Sequence, residues 1–185
     1  MVACVGEDVQ VILQHWGATE HEMEGSVVGD ELCPQARVVA TRAITLAAPP
    51  EAVFPWIRQM GFGRAGWYSY DWIDNLGRRS ARAIDSAWQD VHTGSTVPGG
   101  PIHFEAAVVD APRAFVMRYA PASGRIVFVL AYELRDHPVG TRLVTRMRSR
   151  CGFPGGALLD RFLLGPGDGL MVRKQLLTLR RRITG

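Results

Sequence analysis

The run ATRAITLAAPPEAVFPWIRQMGFGRAGWYSYDWIDNL, residues 40–76, carries four structural signals in succession. Its first residues complete an alternating, β-branched segment, RVVATRAITL over 37–46, which predicts a strand with Ile44 and Leu46 on the core side. The same two-residue period puts Arg42 on that side. A guanidinium taken out of water needs a carboxylate or a bound anion to offset the loss of hydration. Two placements meet this need: inward against such a partner, or at the rim with the stem snorkelling out to water.

Pro49 and Pro50 then suit a helix start, because proline lacks only a donor that the first turn leaves unused. In PPEAVFPWIRQMG, Val53, Trp56, Ile57 and Met60 recur at i, i+3, i+4 and i+7 and form a buried stripe. Pro55 falls in the early turns, where proline disturbs least, and Gly61 stops the helix. Gly61, Gly63 and Gly66 make the next segment a conformationally free junction. Ser69 is placed to cap a second short helix, with Asp71 in its first turn where a negative charge suits the helix dipole. So many aromatic and flexible positions in one junction predict a molecule bound beside it.

Towards the N-terminus, residues 1–35 read as an added arm and 36–185 as a single domain. Val9, Ile12, Leu13 and Trp16 share one face of a short helix over 7–16, which Gly17 ends. The acidic, glycine-broken segment ATEHEMEGSVVGDELCP predicts an extended wrap over the surface rather than a packed element.

Towards the C-terminus, 77–90 is irregular. Strands are expected over 95–97, 102–110, 114–119, 125–134 and 141–151, separated by Pro/Gly turns in the spacing of an antiparallel meander. Ile126, Phe128, Leu130, Tyr132 and Leu134, with Leu143, Thr145 and Met147, form the inward faces. Arg142, Arg146, Arg148 and Arg150 share the opposite face of the last strand. They read as a wet face, with phosphate or lipid-headgroup binding as the sharper alternative. Val172, Leu176, Leu179 and Ile183 give the closing helix, 169–183, one apolar stripe, with Asp168 as its cap and Arg180, Arg181 and Arg182 complementing its C-terminal dipole.

Composition narrows the function classes. The chain has 185 residues, 47% hydrophobic, enough for one core and too apolar for a disordered protein. Lys and Arg number 21 against 18 Asp and Glu, too balanced to call for a nucleic-acid partner. Cys4, Cys33 and Cys151 have neither disulfide nor zinc spacing, and His15, His21, His92, His103 and His137 form no paired ligand motif, so no metal is expected. GFGRAG follows a helix rather than a strand and lacks the Lys-Ser/Thr of a phosphate loop, so no nucleotide cofactor is expected. The N-terminus is unlike a secretory signal, and no run of eighteen apolar residues is present. A cytoplasmic protein with no integral membrane association is the expectation.

Taken together, ATRAITLAAPPEAVFPWIRQMG, RAGWYSYDWIDNL, the strand ending GTRLVTRMR and the closing helix around LMVRKQLLTLRRR resemble the START-like (SRPBCC) superfamily. That superfamily includes polyketide cyclases, lipid-transfer domains and birch-pollen-allergen-like proteins. The resemblance spans residues 16–183 and is greatest with a bacterial subgroup marked by WGAT and GWYSYD, which carries no catalytic signature. It implies an α+β, helix-grip fold: a curved antiparallel sheet of six to seven strands around a long C-terminal helix, with two short helices after the first strand.

The resemblance also implies an interior cavity for a hydrophobic or amphipathic small molecule of lipid-, polyketide- or steroid-like kind. Residues expected to face it are Arg42, Trp56, Met60, Arg64, Trp67, Tyr68, Tyr70, Phe104, Met117, Phe128, Leu130, Tyr132 and Met147. Binding or transport is the first expectation. The alternative is a metal-free cyclase or dehydratase in which Tyr70, Asp71 and Arg64 supply acid–base groups. A structural account of the same residues makes Trp56, Trp67 and Trp72 core, bonds Tyr68 and Tyr70 to backbone, and pairs Asp71 with Arg64. A third class of function works through a protein partner, a second copy included, with Leu170 and Leu177 as the interface.

Overall fold

The computed structural model describes residues 13–156 and 165–185, so most of the helix expected over 7–16 and the apolar patch at 157–164 lie outside it. In chain order the elements are α1 (Glu20–Glu24), a 3-10 turn (Asp30–Leu32), β1 (Val38–Leu46), α2 (Pro50–Arg58), α3 (Asp71–Asp74) and a second 3-10 turn (Ser86–Trp88). There follow β2 (Thr96–Pro98), β3 (His103–Asp110), β4 (Ala114–Tyr119), β5 (Ile126–His137), β6 (Gly140–Cys151) and α4 (Gly165–Thr184).

The six strands form one antiparallel sheet in the order β1-β6-β5-β4-β3-β2. Only β1 departs from a plain meander, crossing to pair with β6, the last strand. With α4 laid against the sheet, this is the α+β helix-grip arrangement.

Period-two alternation decides what meets the helix. Phe115 and Met117 of β4, Leu130, Tyr132 and Leu134 of β5, and Leu143 and Met147 of β6 pack in one cluster with Val172, Leu176 and Leu179 of α4. Each such side chain removed from water contributes about 2 kcal/mol. A bulge between Ala106 and Val108 resets the alternation in β3, so Phe104, Ala106 and Val109 all turn towards that cluster.

The opposite face is not wet, which corrects the sequence expectation. Val116, Val127, Val129, Ala131 and Val144 pack there with Val27 and Cys33 of the arm, a second core. Nor is the arm an extended wrap. Thr19 and Glu22 form a reciprocal capping box that starts α1, and Glu22 is buried. The arginines are bonded to this arm. Arg142 meets both Glu22 carboxylate oxygens at 2.7 and 2.8 Å. Arg146 donates to Asp30 Oδ2 at 2.7 Å, to Thr41 Oγ1, and to the carbonyls of Glu22, Met23 and Gly25. Arg148 donates to the Cys33 carbonyl at 3.0 Å. Arg150 stays closer to solvent, reaching Gln35 and the Gly124 carbonyl. Acidic residues in the arm and basic residues on β6 thus satisfy one another, leaving the first three arginines little capacity for phosphate or lipid headgroups.

Among the described residues, no helix is long and apolar enough to cross a membrane.

Candidate functional site

The glycine junction brings the short helix α3 against α4. Gly61 and Gly66 exchange backbone hydrogen bonds at 3.2 and 3.1 Å, and Phe62 N–H ties the loop to β2 through the Pro98 carbonyl at 2.7 Å. Two residues later Tyr68 takes a left-handed backbone, φ 58°, which is unfavourable for a bulky side chain. Its surroundings hold it there. The ring is buried and lies edge-on to Trp56 at 5.9 Å, the hydroxyl accepts from Gln59 Nε2 at 2.6 Å, and the backbone N–H donates to Ser80 Oγ. Burial pushes the Tyr68 phenol up to about 12. With Tyr68 turned into the core, its neighbours Trp67 and Ser69 meet α4: the Trp67 carbonyl accepts from Gln175 Nε2 at 2.8 Å, and Ser69 Oγ donates to the Met171 carbonyl at 3.0 Å.

Between this junction, α4 and the sheet lies a cavity of about 190 Å³. Phe104, Phe128, Leu130 and Tyr132 line it from the strands, Gly99 from the β2–β3 turn, and Met171, Val172 and Gln175 from α4. Trp67, Ser69, Asp74 and Asp168 complete the lining. Phe104 is the centre of its aromatic wall, with ring centres of Trp67 at 5.9 Å, Phe128 at 6.1 Å and Tyr119 at 6.3 Å.

The polar groups of the lining divide into partnered and unpartnered. Tyr132 donates its hydroxyl to Gln175 Oε1 at 2.8 Å, and burial raises its phenol pKa, so it stays protonated. Asp168 receives Arg42 Nη1 at 2.6 Å, while Arg42 Nε donates to the Leu13 carbonyl at 2.8 Å. Burial pushes the Asp168 carboxyl up against the pull of that guanidinium. Asp74 differs: both carboxylate oxygens are buried without a partner among the described residues. Desolvation first, and then the charge of Asp71, push its carboxyl up to about 6.

The residues expected to face a ligand are distributed unevenly. Trp67, Phe104, Phe128, Leu130 and Tyr132 line the cavity. Trp56, Met60, Met117, Tyr68 and Met147 are buried in the surrounding core. Arg42 points inward, fully buried against Asp168, so the rim placement does not occur. Arg64 is turned away to the carbonyls of Arg58 and Trp88, at 3.3 and 2.7 Å. Asp71 does not pair with it: the Asp71 carboxylate accepts from Ser80 Oγ at 2.5 Å and from Ser80 N–H at 3.1 Å. Tyr70 lies beneath Lys174, whose Nζ is 5.9 Å from the ring centre. The three acid–base candidates are therefore engaged outside the cavity.

Other expectations fail for similar reasons. Ser69 does not cap α3, because its hydroxyl is used on the α4 backbone; Tyr70 takes the cap position without a side-chain bond. Asp168 is no cap either: α4 begins earlier, at Gly165, and leaves Asp168 in the first turn to meet Arg42. Trp72 is 74% exposed rather than core, because α3 is a four-residue turn whose outer side faces water. Leu170 is exposed, but Leu177 packs against the core.

Sequence reasoning missed Ser69, Asp74, Gly99, Asp168, Met171, Val172 and Gln175 as lining residues. Gln175 had a readable signal, since it lies three residues after Val172 and four before Leu179, on the apolar stripe of α4, where it is buried. Among the described residues, no group of three or more His, Cys, Asp or Glu is placed to hold a metal ion.

No protein-family model matches the chain, and no curated protein is detectably similar in sequence. Solved structures do match. KanY superposes with a TM-score of 0.53 at 11% identity, covering 80% of this chain and 98% of that one, which shows a shared fold. Protein MLL2253 from Mesorhizobium loti gives 0.47 at 14% identity, over 78% and 98% of the two chains. The di-domain ARO/CYC BexL from the BE-7585A biosynthetic pathway gives 0.48 at 12% identity, over 84% of this chain and 53% of that one. At these identities the likeness is one of architecture, and the chemistry must be argued from the cavity itself.

Proposed function

We propose that this chain is a START-like protein of the cytoplasm that binds a small amphipathic molecule in the cavity between α4 and the sheet, residues 36–185 forming the binding domain and 1–35 an added arm whose described part, 13–35, is a clasp on its outer face. One observation carries the reading: an aromatic wall centred on Phe104 shares its cavity with a carboxylate, Asp74, that has no partner among the described residues. Cavities for ligands are apolar, with a few placed polar groups. Volume limits the ligand. Voids of about 150 Å³ accept benzene, and drug-sized pockets begin at about 300 Å³. A cavity of about 190 Å³ therefore suits one ring with a short substituent better than a steroid or an acyl chain.

Native mass spectrometry of the purified protein, followed by a thermal-shift panel of single-ring and bicyclic compounds, tests this. A co-purifying or stabilising small molecule supports it. An empty protein that no compound stabilises removes the binding reading.

A second reading, acid–base catalysis, is favoured by one feature: a carboxyl pushed up to about 6 exchanges its proton near neutral pH. It predicts that Asp74→Asn keeps affinity for the bound molecule and stops its conversion.

A further inference from the structure

Charge at the cavity is one-sided. Asp74 and Asp168 are the charged residues among the described lining, and no Lys, Arg or His joins them. Arg42 neutralises Asp168. No group among the described residues does the same for Asp74, and Asp71, one turn earlier on α3, adds repulsion. A desolvated carboxylate gains most from a full opposite charge, since charge-assisted hydrogen bonds are about twice as strong as neutral ones. The aromatic wall adds to this preference, because ring faces attract cations. A neutral hydroxyl would bond to Asp74 and leave its charge in place. An acid would bring a further negative charge.

Resting on the cavity-binding reading above, we propose that the ligand is a small aromatic or alicyclic amine, its cationic nitrogen against Asp74 and its ring among Trp67, Phe104 and Phe128. Among the described residues, the charge that acts on Asp74 is Asp71 on the same helix; Asp168, paired with Arg42, shares the cavity lining, and Lys174 is held over Tyr70. Tyr132 faces the cavity as a neutral phenol. Burial raises the Asp168 carboxyl as well, but Arg42 is its partner; at Asp74, raised to about 6, amine binding and protonation compete directly.

Calorimetric titration of the full chain with phenethylamine, phenethyl alcohol and hydrocinnamic acid decides the matter. The amine is expected to bind about tenfold more tightly than the alcohol, with the acid weakest. Amine affinity falls as pH drops through about 6, while the ammonium itself stays charged and alcohol affinity changes little. Asp74→Asn should abolish the preference for the amine, bringing its affinity down about tenfold relative to that of the alcohol. The pH profile of the unaltered protein carries the test if that variant does not fold. Equal binding of amine and alcohol, tighter binding of the acid, or an amine affinity indifferent to pH overturns the amine and leaves the cavity reading standing. Failure of all three, with an empty mass spectrum and no stabilising compound, overturns both.

Discussion

Arg146, on the outer face of the sheet, and Asp74, at the cavity on the helix side, are both withdrawn from water, and the fold treats them in opposite ways. Arg146 is 3% exposed and surrounded by acceptors: a carboxylate, a hydroxyl and three carbonyls. Asp74 has buried oxygens and no donor among the described residues. Around Arg142 and Arg146 the outer face is satisfied by the chain itself, although Arg118 Nε, buried beside Val127 and Cys33, has no partner among the described residues. Among the described residues that line the inner cavity, the Asp74 carboxylate is left without a partner. Among the cavity's lining groups, Asp74 is therefore the one at which an added donor would gain most.

Four substitutions would break or sharpen this contrast. Arg146→Ala removes five hydrogen bonds and strands Asp30, and is expected to destabilise the protein by about 3–5 kcal/mol in urea unfolding. A loss below about 1 kcal/mol would mean that the clasp is not structural.

Glu22→Gln should cost less, about 2–3 kcal/mol, since the amide oxygen still accepts one Arg142 hydrogen bond while the amide NH2 cannot accept the other. Arg142, followed by the Thr19 backbone bond, holds the Glu22 carboxyl down at about 2, against an ordinary value of 4.5. The contribution is therefore complete above about pH 4.5 and is lost as pH falls towards 2, a dependence that the variant should lack.

Asp74→Asn reverses the sign. A carboxyl raised to about 6 when folded opposes folding once it ionises, so the penalty develops as pH rises from 3.8 to about 6 and is full above that. Discounted for partial solvent screening, relief of about 1–2 kcal/mol at neutral pH is expected in the empty protein. A destabilised variant would show that Asp74 has a structural partner.

Tyr132→Phe should have the smallest effect, about 1 kcal/mol, by depriving Gln175 Oε1 of its donor. It should also shift ligand affinity less than Asp74→Asn does in the same titration.

The sheet was legible because its signals are local. Alternation in IVFVLAYEL and RLVTRM placed Phe128, Leu130, Tyr132, Leu143 and Met147 on the helix side, where they are found. The arginine ladder was equally visible, but not its partners: Glu22 lies 120 residues from Arg142, and Asp30 lies 116 from Arg146. No pattern of period two or 3.6 joins such positions. The cavity's polar groups were illegible for a related reason. Whether an aspartate is satisfied depends on which neighbours the fold supplies, and Asp71 and Asp74, one turn apart, received opposite answers. Asp71 found Ser80. Asp74 found no donor among the described residues.

The strand order has a consequence for life among other chains. An open sheet has two edges, and each offers bare backbone to any passing strand. At the β1 edge the arm intervenes: the Ala43 N–H is taken by the Trp16 carbonyl, and Gly17, at φ 72°, comes so close to Ala43 that a Cβ would not fit. The β2 edge is only three residues long and ends in Pro98, whose ring nitrogen has no hydrogen to offer and whose carbonyl is occupied by Phe62. The clasp that balances the arginines is thus also a bumper. A chain trimmed back to β1 would lose solubility by strand-to-strand association as well as stability.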